Sequence, residues 1–265
     1  MSPPEKQIQK VNPSITPNVF MKPEVLLQRE YYTRTAKLYE SMHVVHGDVE
    51  HDLACALIHS LSAHHKLMSV LDVGSGTGRA VVKLHENLPH ARVVGMEPVE
   101  ALREIGYKNG IPRDQLISGD ATHLDFPDAS FDLVCELGVL HHIPKPREAV
   151  AEMMRVAKKA VFLSDVNRFG RGSIPSKYVK LLLWKLKLWP VADWIRTSGK
   201  GYDYLDGDGI VYSYSIFDDF DFIRSHCEQV MIFNLDGSGK CALTGAHHIG
   251  LFGIKKNTNK MLGNL

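Results

Sequence analysis

Three glycines and an aspartate between residues 72 and 78 are the first residues whose spacing suggests chemistry. The segment is DVGSGTG, with glycine at positions 74, 76 and 78 and an aspartate, Asp72, at its start. Glycine adopts positive φ angles easily and leaves room for a ligand to approach the backbone. A tight turn between a strand and a helix needs the same residues, so this segment alone does not establish a binding site.

Carboxylates also occupy the ends of the next three apolar runs. Glu97 follows VVGM, Asp120 follows QLISG, and Glu136 lies in CELG. The carboxyl ends of parallel strands meet at one edge of a sheet, where ligands bind. Glu97 there could accept hydrogen bonds from two ribose hydroxyls, and Asp120 from an exocyclic amine. The alternatives are a solvated strand end for Glu97 and a turn cap for Asp120, but polar positions at four successive strand ends favour a nucleotide site.

Short apolar runs that alternate with amphipathic segments must position these residues. Strands are predicted over 67–73, 91–97, 115–120, 130–137, 160–166, 229–235 and 247–256. Helices are predicted over 24–40, 49–63, 78–88, 99–110, 146–157 and 215–229. This alternation is typical of βαβ units, and it predicts an α/β fold with a parallel sheet.

Composition and charge narrow the possible classes. The net charge is +1, so the whole chain shows no sign of binding nucleic acid. The four cysteines are scattered without a CxxC pair, which argues against a structural zinc site or a disulfide framework and favours a reducing compartment. Residues 1–20 are polar and predict a flexible tail rather than a secretory signal. No run approaches the roughly 18 apolar residues of a membrane span, so we expect a cytoplasmic protein.

Together these segments resemble the class I S-adenosylmethionine-dependent methyltransferases, in their small-molecule branch. The resemblance is carried by VLDVGSGTG (70–78), Glu97, GDATHLDFPDASFD (119–132) and ELGVLHHIPKPREAVAEMMRV (136–156). The GxGxG spacing differs from the GxGxxG of dinucleotide-binding proteins, and no GKS or GKT follows as in a P-loop. The resemblance covers roughly residues 50–166 and the end of the chain.

The family resemblance implies a Rossmann-like, seven-stranded, mostly parallel sheet with an antiparallel last strand and helices on both faces. It also implies a domain over 21–265, with an N-terminal helical cap over 21–48 and a helical insertion over 167–215 after the fifth strand. The implied cofactor is S-adenosylmethionine, which yields S-adenosylhomocysteine. The implied cofactor contacts are Asp72, Gly74, Ser75 and Gly76 at the methionine end, Glu97 at the ribose, Pro98, Asp120 and Ala121 at the adenine, Glu136 and Leu137 near the sulfonium, and Tyr39 closing over the cofactor from the cap. Ordinary packing within the cap is the alternative for Tyr39.

Histidines near the strand ends are candidate general bases. Methyl transfer from a sulfonium is an in-line displacement, in which positioning of the acceptor and exclusion of water supply much of the catalysis. An oxygen or nitrogen acceptor can also need a base. The candidates are His141, His142, Asp165, His247 and His248, of which we predict His141, Asp165 and His247. Packing and capping remain the alternative for all three. No metal site is predicted, because adjacent residues on a strand, such as His247 and His248, point to opposite faces.

The insertion over 167–215 is expected to recognise the acceptor. Residues 168–200 contain eight basic residues, one acidic residue and all three tryptophans. On a helix over 176–189, one arc is apolar: Tyr178, Val179, Leu182, Leu183, Leu186 and Trp189. The segment could be a lid packed on the domain, a pocket wall for an acidic or amphiphilic acceptor, or a peripheral membrane contact through 176–195. Predicted acceptor contacts are Tyr32, Arg168, Trp184 and Tyr214.

The predicted function is methylation of a small or lipid-like metabolite at oxygen or nitrogen. One alternative is a protein that binds S-adenosylmethionine without catalysis. Another is a nucleic-acid or protein methyltransferase that uses the basic 168–200 segment, although the near-neutral charge leads us to expect no nucleic acid. The sequence predicts neither the acceptor's identity nor the oligomeric state.

Overall fold

The computed structural model describes residues 22–43 and 48–256. The predicted tail over 1–20 lies outside these residues. The strands are β1 (Ser69–Val73), β2 (Arg92–Met96), β3 (Leu116–Ile117), β4 (Phe131–Leu137), β5 (Ala157–Val166), β6 (Tyr202–Leu205), β7 (Gly209–Tyr212), β8 (Cys227–Asn234) and β9 (His248–Lys255). The α-helices are α1 (Pro23–Thr35), α2 (Tyr39–His43), α3 (Val49–His65), α4 (Arg79–Asn87), α5 (Glu100–Lys108), α6 (Pro146–Val156), α7 (Ile174–Lys185), α8 (Trp189–Arg196) and α9 (Phe220–His226).

Seven strands form one sheet in the order β3-β2-β1-β4-β5-β9-β8. Strands β1 to β5 pair in parallel, whereas β9 is antiparallel to both of its neighbours, β5 and β8. The predicted seven-stranded sheet with an antiparallel last strand is therefore confirmed. The central strands are continuous apolar runs because helices cover both of their faces.

Helices pack on both faces of this sheet, as predicted. Successive residues of a strand point to opposite faces, and in β1 Val70 joins one apolar cluster while Leu71 joins the other. The Val70 cluster includes buried residues of α3 and α4, such as Ile58. The Leu71 cluster includes buried residues of α6 and α9, such as Met153. This double covering holds the carboxyl ends of the strands, and the loops that follow them, in fixed positions.

The insertion contains more than the predicted helices. After α7 and α8 the chain forms an antiparallel hairpin of β6 and β7 that is separate from the main sheet. The sequence analysis did not predict this hairpin. No helix among the described residues is both long and apolar enough to cross a membrane.

Candidate functional site

The glycine loop after β1 is shaped by its backbone and by its neighbours. Gly74 and Gly76 have φ angles of +77° and +57°, which side chains disfavour. A Cβ atom at Gly74 would lie 2.5 Å from Cγ2 of Val139, and one at Gly76 would lie 2.9 Å from the hydroxyl of Tyr39. The loop therefore requires glycine for its conformation. It also requires glycine because Val139, in the loop after β4, and Tyr39 of the cap approach it closely.

Glu97 lies next to this loop, directly after β2, and its side chain is buried. Its Oε2 accepts a hydrogen bond from the Gly76 N–H at 3.0 Å, and its Oε1 accepts from the Val99 N–H at 2.8 Å. Burial raises the pKa of Glu97 to about 7, although these two N–H groups act in the opposite direction. A carboxylate has about four acceptor positions, so two remain for hydroxyl donors.

Asp72 and Ser75 carry polar atoms that lack partners. Asp72 Oδ2 and Ser75 Oγ are buried and accept or donate no hydrogen bond among the described residues. Burial, and then the charge of Glu97, raise the pKa of Asp72 to about 7. Unpaired buried polar atoms are uncommon in proteins. Their position beside the glycine loop fits a polar ligand such as the amino-acid part of the implied cofactor.

Asp120 is held by the loop that follows β3 and by the cap. Its Oδ1 accepts from both the N–H and the hydroxyl of Thr122, and its Oδ2 accepts from Arg29 of α1 at 2.8 Å. Burial raises the pKa of Asp120, but the contacts with Thr122 and Arg29 outweigh it and lower the pKa overall. The sequence analysis did not identify Arg29, because nothing local links it to a residue 91 positions away.

A cavity of about 380 Å³ lies between the cap and the strand ends. Its volume is within the usual range for small-molecule sites. Among the predicted residues it is lined by Tyr32, Tyr39, Gly74, Gly76, Glu97, Pro98, Asp120, Ala121 and Leu137. Asp72, Ser75 and Glu136 do not line it. We call this space the cofactor cavity.

Glu136 lies behind the cofactor cavity rather than on its wall. The side chain is fully buried, and it accepts from the N–H groups of Ser164 at 2.9 Å and Val139 at 3.0 Å. Burial, and then the charge of Asp165, raise the pKa of Glu136 well above its ordinary value. The carboxyl group thus supports the backbone that follows β4, where sequence reasoning expected contact with the sulfonium.

His141 is a positively charged group between two aspartates. Its Nδ1 lies 2.7 Å from Asp165 Oδ1, and its Nε2 lies 3.7 Å from Asp208 Oδ2. Burial lowers the pKa of His141, but Asp165 and Asp208 outweigh it and raise the pKa to about 10. A protonated imidazole cannot accept a proton, so this geometry does not favour the predicted role of His141 as a base. Asp165, which is also fully buried, holds the ring in place.

His142 has the opposite environment and lines the cofactor cavity. Its Nδ1 lies 2.7 Å from the carbonyl oxygen of Ile210, and its Nε2 lies 3.1 Å from the Tyr32 hydroxyl. Burial, and then the charge of His141, lower the pKa of His142. Nε2 also lies 3.2 Å from Asp208 Oδ1. The Ile210 carbonyl assigns the single N–H of the neutral ring to Nδ1, so Nε2 accepts from the Tyr32 hydroxyl and donates nothing to Asp208.

His141, His142 and Asp208 offer three ligand atoms within 4.8 Å of one another, a spacing that could hold a metal ion. The adjacent histidines converge because residues 140–142 form a turn of 3-10 helix, and not a strand. Protonated His141 lies beside Asp208 and is the first of the contacts that lower the pKa of Asp208 in spite of its burial. We therefore assign the cluster as an ion-paired network.

The remaining predicted residues lie elsewhere. His247 is exposed and donates its backbone N–H to Asp236 at 2.8 Å, and it lines neither cavity described here. Arg168 and Tyr214 line a second cavity, of about 260 Å³, together with His141 and Asp208. Trp184 lines neither cavity and packs against the ring of Phe169, with 5.4 Å between ring centroids.

Sequence reasoning missed Asp208, although a signal was present. It lies in YDYLDGDGIVY, where two tyrosine-containing runs flank a Gly- and Asp-rich turn, a pattern typical of a β-hairpin.

The apolar arc predicted on the helix over 176–189 mostly faces solvent. Tyr178, Val179, Leu182 and Leu186 are each more than half exposed. On the other side of α7, Lys177 Nζ donates to the Thr244 carbonyl and Lys180 Nζ to the Arg168 carbonyl, both at 3.0 Å. The lid interpretation, in which the apolar arc packs on the domain, does not fit this arrangement.

Comparison with known proteins places the glycine loop and the following strand ends in one family. Residues 71–164 match the methyltransferase domain family. A phosphatidylethanolamine N-methyltransferase from Cereibacter sphaeroides is 35% identical over 130 residues, which are 43% of this chain and 57% of that protein. A demethylmenaquinone methyltransferase from Deinococcus radiodurans is 34% identical over 96 residues, which are 35% of this chain and 39% of that protein. The matches thus span only part of these relatives.

One solved structure extends the likeness to nearly the whole chain. It is a 1,6-didemethyltoxoflavin-N1-methyltransferase from Burkholderia thailandensis with bound 1,6-didemethyltoxoflavin and S-adenosylhomocysteine. It is 16% identical, covers 94% of each chain and has a TM-score of 0.58, which shows a common fold. The family match over residues 71–164 confirms the resemblance predicted from the sequence for that part of the chain.

Proposed function

We propose, on the premise that residues 71–164 form a methyltransferase domain, that this protein transfers the methyl group of S-adenosylmethionine to oxygen or nitrogen of a small or lipid-like acceptor. The observation that carries the proposal is the cofactor cavity. The glycine loop borders it, Glu97 offers two open acceptor positions there, and Asp72 has an unpaired oxygen directly behind the loop.

Different residues of the cofactor cavity are assigned to different parts of the cofactor. Glu97 accepts from the ribose hydroxyls, while the backbone of Gly74 and Gly76 borders the methionine end and Asp72 lies behind that loop. Asp120 reaches the adenine amine when Arg29 releases its Oδ2. Tyr39 closes the cavity from the cap over Gly76. When bound, S-adenosylmethionine supplies the electrophilic methyl group, and the closed cavity excludes water from it.

His142 is the group that we assign to accept a proton from the acceptor, in place of His141. A general base must be uncharged and within reach of the reacting group. His142 meets the first condition because its pKa is lowered, and it lines the cofactor cavity. His141 and Asp165 act as positioning residues. Asp165 holds the His141 ring, and that ring packs against His142 with 4.0 Å between the ring centroids.

The lipid-like character of the acceptor is supported by an exposed surface on α7 and α8. This apolar face consists of Ile174, Tyr178, Val179, Leu182, Leu186, Val191, Trp194 and Ile195, each more than half exposed. Exposed lysines Lys185 and Lys187 lie beside it. A large exposed apolar patch marks an interaction site, and basic helices with leucine and tryptophan bind anionic membrane surfaces. Two relatives whose names specify lipid or quinone substrates agree with this choice.

Calorimetric titration tests the cofactor assignment. We expect saturable binding of S-adenosylmethionine and S-adenosylhomocysteine by the purified protein, and none of NAD. No binding of either adenosyl ligand by a folded sample would refute the proposal. Binding without methyl transfer to any lipid or small-molecule acceptor would instead favour a non-catalytic binding protein.

Vesicle flotation tests the membrane contact. We expect the protein to float with vesicles that contain phosphatidylglycerol and to remain in solution with phosphatidylcholine alone. Leu182→Ser combined with Leu186→Ser should abolish flotation, whereas Val82→Ser, at an exposed position of α4, should not. Equal flotation of all three proteins would show that the apolar face is not the contact.

A further inference from the structure

The second cavity is lined mainly by basic side chains. Its lining includes five cationic side chains, Arg168, Arg171, Lys180, Arg196 and the protonated His141, and two carboxylates, Asp203 and Asp208. Carboxylates outside the lining, Asp165, Asp193 and Asp218, pair with His141, Arg196 and Arg168, respectively. Both lining carboxylates are already paired. Asp203 accepts from Arg196 at 2.7 Å, and Asp208 lies against the histidine pair.

Two of the cations have no acidic partner. In the described part of the chain neither Arg171 nor Lys180 forms an ion pair, and Lys180 Nζ donates only to the backbone carbonyls of Arg168 at 3.0 Å and Arg171 at 2.9 Å. Burial, and then the charges of Arg171 and Arg168, lower the pKa of Lys180. Arg171 and Lys180 are therefore the two lining cations whose charge no carboxylate of the described residues pairs.

Three lining residues also carry buried donors without partners. These atoms are Arg168 Nε, Trp189 Nε1 and the Tyr212 hydroxyl. Arg168 is only 7% exposed, and its guanidinium lies 4.9 Å from the centre of the Trp189 ring. Each buried donor left unpaired costs about 1–3 kcal/mol. Three such donors around one cavity indicate a ligand rich in acceptor oxygens.

We infer that the second cavity binds a phosphate group carried by the methyl acceptor. Arginine and lysine are the residues that bind phosphate most readily, and three unpaired donors together with two unpaired cations exceed what the two oxygens of a carboxylate can accept. This inference rests on the proposed function, because it names the substrate class of the same site.

The histidine pair connects this phosphate site to the cofactor cavity. His142 lines the cofactor cavity and His141 lines the second cavity. An acceptor whose phosphate lies in the second cavity must extend past Asp208 and the histidines to reach the cofactor cavity. The phosphate fixes the orientation of the acceptor, and the histidine pair stands where its reactive end arrives.

Matched charge-removing variants on α7 test the inference. Lys180→Gln and Lys185→Gln each remove one lysine from the same helix, but only Lys180 lines the cavity. With inorganic phosphate as the calorimetric probe, we expect saturable binding to wild type and Lys185→Gln. We expect binding at least about tenfold weaker in Lys180→Gln, which corresponds to the loss of one charged hydrogen bond. Arg171→Gln, at an exposed position, provides a second variant with little risk to folding.

The outcomes separate this inference from the proposed function. Absence of phosphate binding, or equal binding by all four proteins, would overturn the inference. Titration of the same samples with S-adenosylhomocysteine tests the cofactor cavity independently, and we expect all four proteins to bind it alike. If phosphate binds and S-adenosylhomocysteine does not, the cavity assignment stands and the proposed function fails.

The source of the phosphate is distinguished by competition. Vesicles that contain phosphatidic acid are offered, with and without glycerol 3-phosphate, to the variant that combines Leu182→Ser with Leu186→Ser and so lacks the proposed membrane contact. Release of the protein from vesicles by glycerol 3-phosphate would support a lipid headgroup in the cavity. Vesicle binding that persists while glycerol 3-phosphate still binds would support a soluble phosphate ester. Failure of both phosphate compounds to bind would overturn the inference.

Discussion

Replacement of Glu97 by glutamine is expected to weaken S-adenosylhomocysteine binding about 10- to 100-fold. In the structure the carboxylate accepts the N–H groups of Gly76 and Val99 and retains two acceptor positions. Glutamine has the same shape but replaces one oxygen by an NH₂ group, so the ribose loses a charged acceptor. A hydrogen bond to a charged group contributes about 1.5–3 kcal/mol, and about 1.4 kcal/mol corresponds to a tenfold change in affinity.

The same variant is expected to alter the pH dependence of binding. Burial raises the pKa values of both Glu97 and Asp72 to about 7, and the charge of Glu97 contributes to that of Asp72. Only the deprotonated groups accept from the ligand, so wild-type affinity should increase up to about pH 7 and then level off. Without the charge of Glu97, the pKa of Asp72 falls and the increase should move to lower pH.

Linkage also predicts the stability of the ligand-free protein. Both carboxyl groups have pKa values in the folded state above their ordinary values, so between those values the folded chain binds more protons than the unfolded chain. Their contribution to stability is complete at low pH and is lost as the pH rises to about 7. Saturation with S-adenosylhomocysteine should reduce this loss, because the ligand prefers the charged forms.

Calorimetry between about pH 5 and about pH 8 measures these effects. Glu100→Gln is the matched control, since Glu100 is exposed at the start of α5 and lines neither cavity. The reasoning is refuted if Glu97→Gln binds as tightly as wild type with an unchanged pH profile. Circular dichroism verifies that each variant is folded.

Three further predictions follow from individual contacts. Gly76→Val should abolish cofactor binding in calorimetry, because φ is +57° and the new side chain would meet the Tyr39 hydroxyl; wild-type affinity would show that the loop is not the site. Arg29→Gln should speed ligand association several-fold in stopped-flow fluorescence, because the ion pair of Arg29 with Asp120 joins the cap to the strand ends. The pair is partly exposed, so its loss should change the free energy of unfolding by less than about 1 kcal/mol. An unchanged association rate would contradict this prediction. Phe162→Ala should lower the free energy of unfolding by about 3–5 kcal/mol in urea titration, because this ring is fully buried; a loss below about 1 kcal/mol would contradict its place in the core.

The main sheet could be predicted because its strands are local features. Most residues of β1 and β2 are β-branched or apolar, and both strands are followed by the residues that the site requires. The strand predicted over 115–120 was too long, since only Leu116 and Ile117 pair. The following Ser-Gly-Asp has little preference for strands, and Asp120 instead accepts hydrogen bonds from Thr122.

The arrangement of the insertion depends on distant contacts that local patterns do not contain. A helical wheel identifies apolar arcs on α7 but not which arc is covered. Long-range hydrogen bonds decide this, because Lys177 reaches a carbonyl 67 positions away at Thr244, whereas Lys185 on the same helix remains exposed. Asp208 likewise acquires its role only when the hairpin brings it to His141 and His142.

Gln28 links the cap to the β6–β7 hairpin, so neither segment can be replaced independently of the other. This buried residue of α1 accepts the N–H of Ile210 at 2.5 Å and donates to the carbonyl of Asp208 at 3.1 Å. A chimera that received another insertion but kept this cap would leave these groups unpaired, at a cost of about 1–3 kcal/mol for each. The cap and the hairpin therefore form a single exchangeable module, and a new acceptor preference requires both to be grafted together.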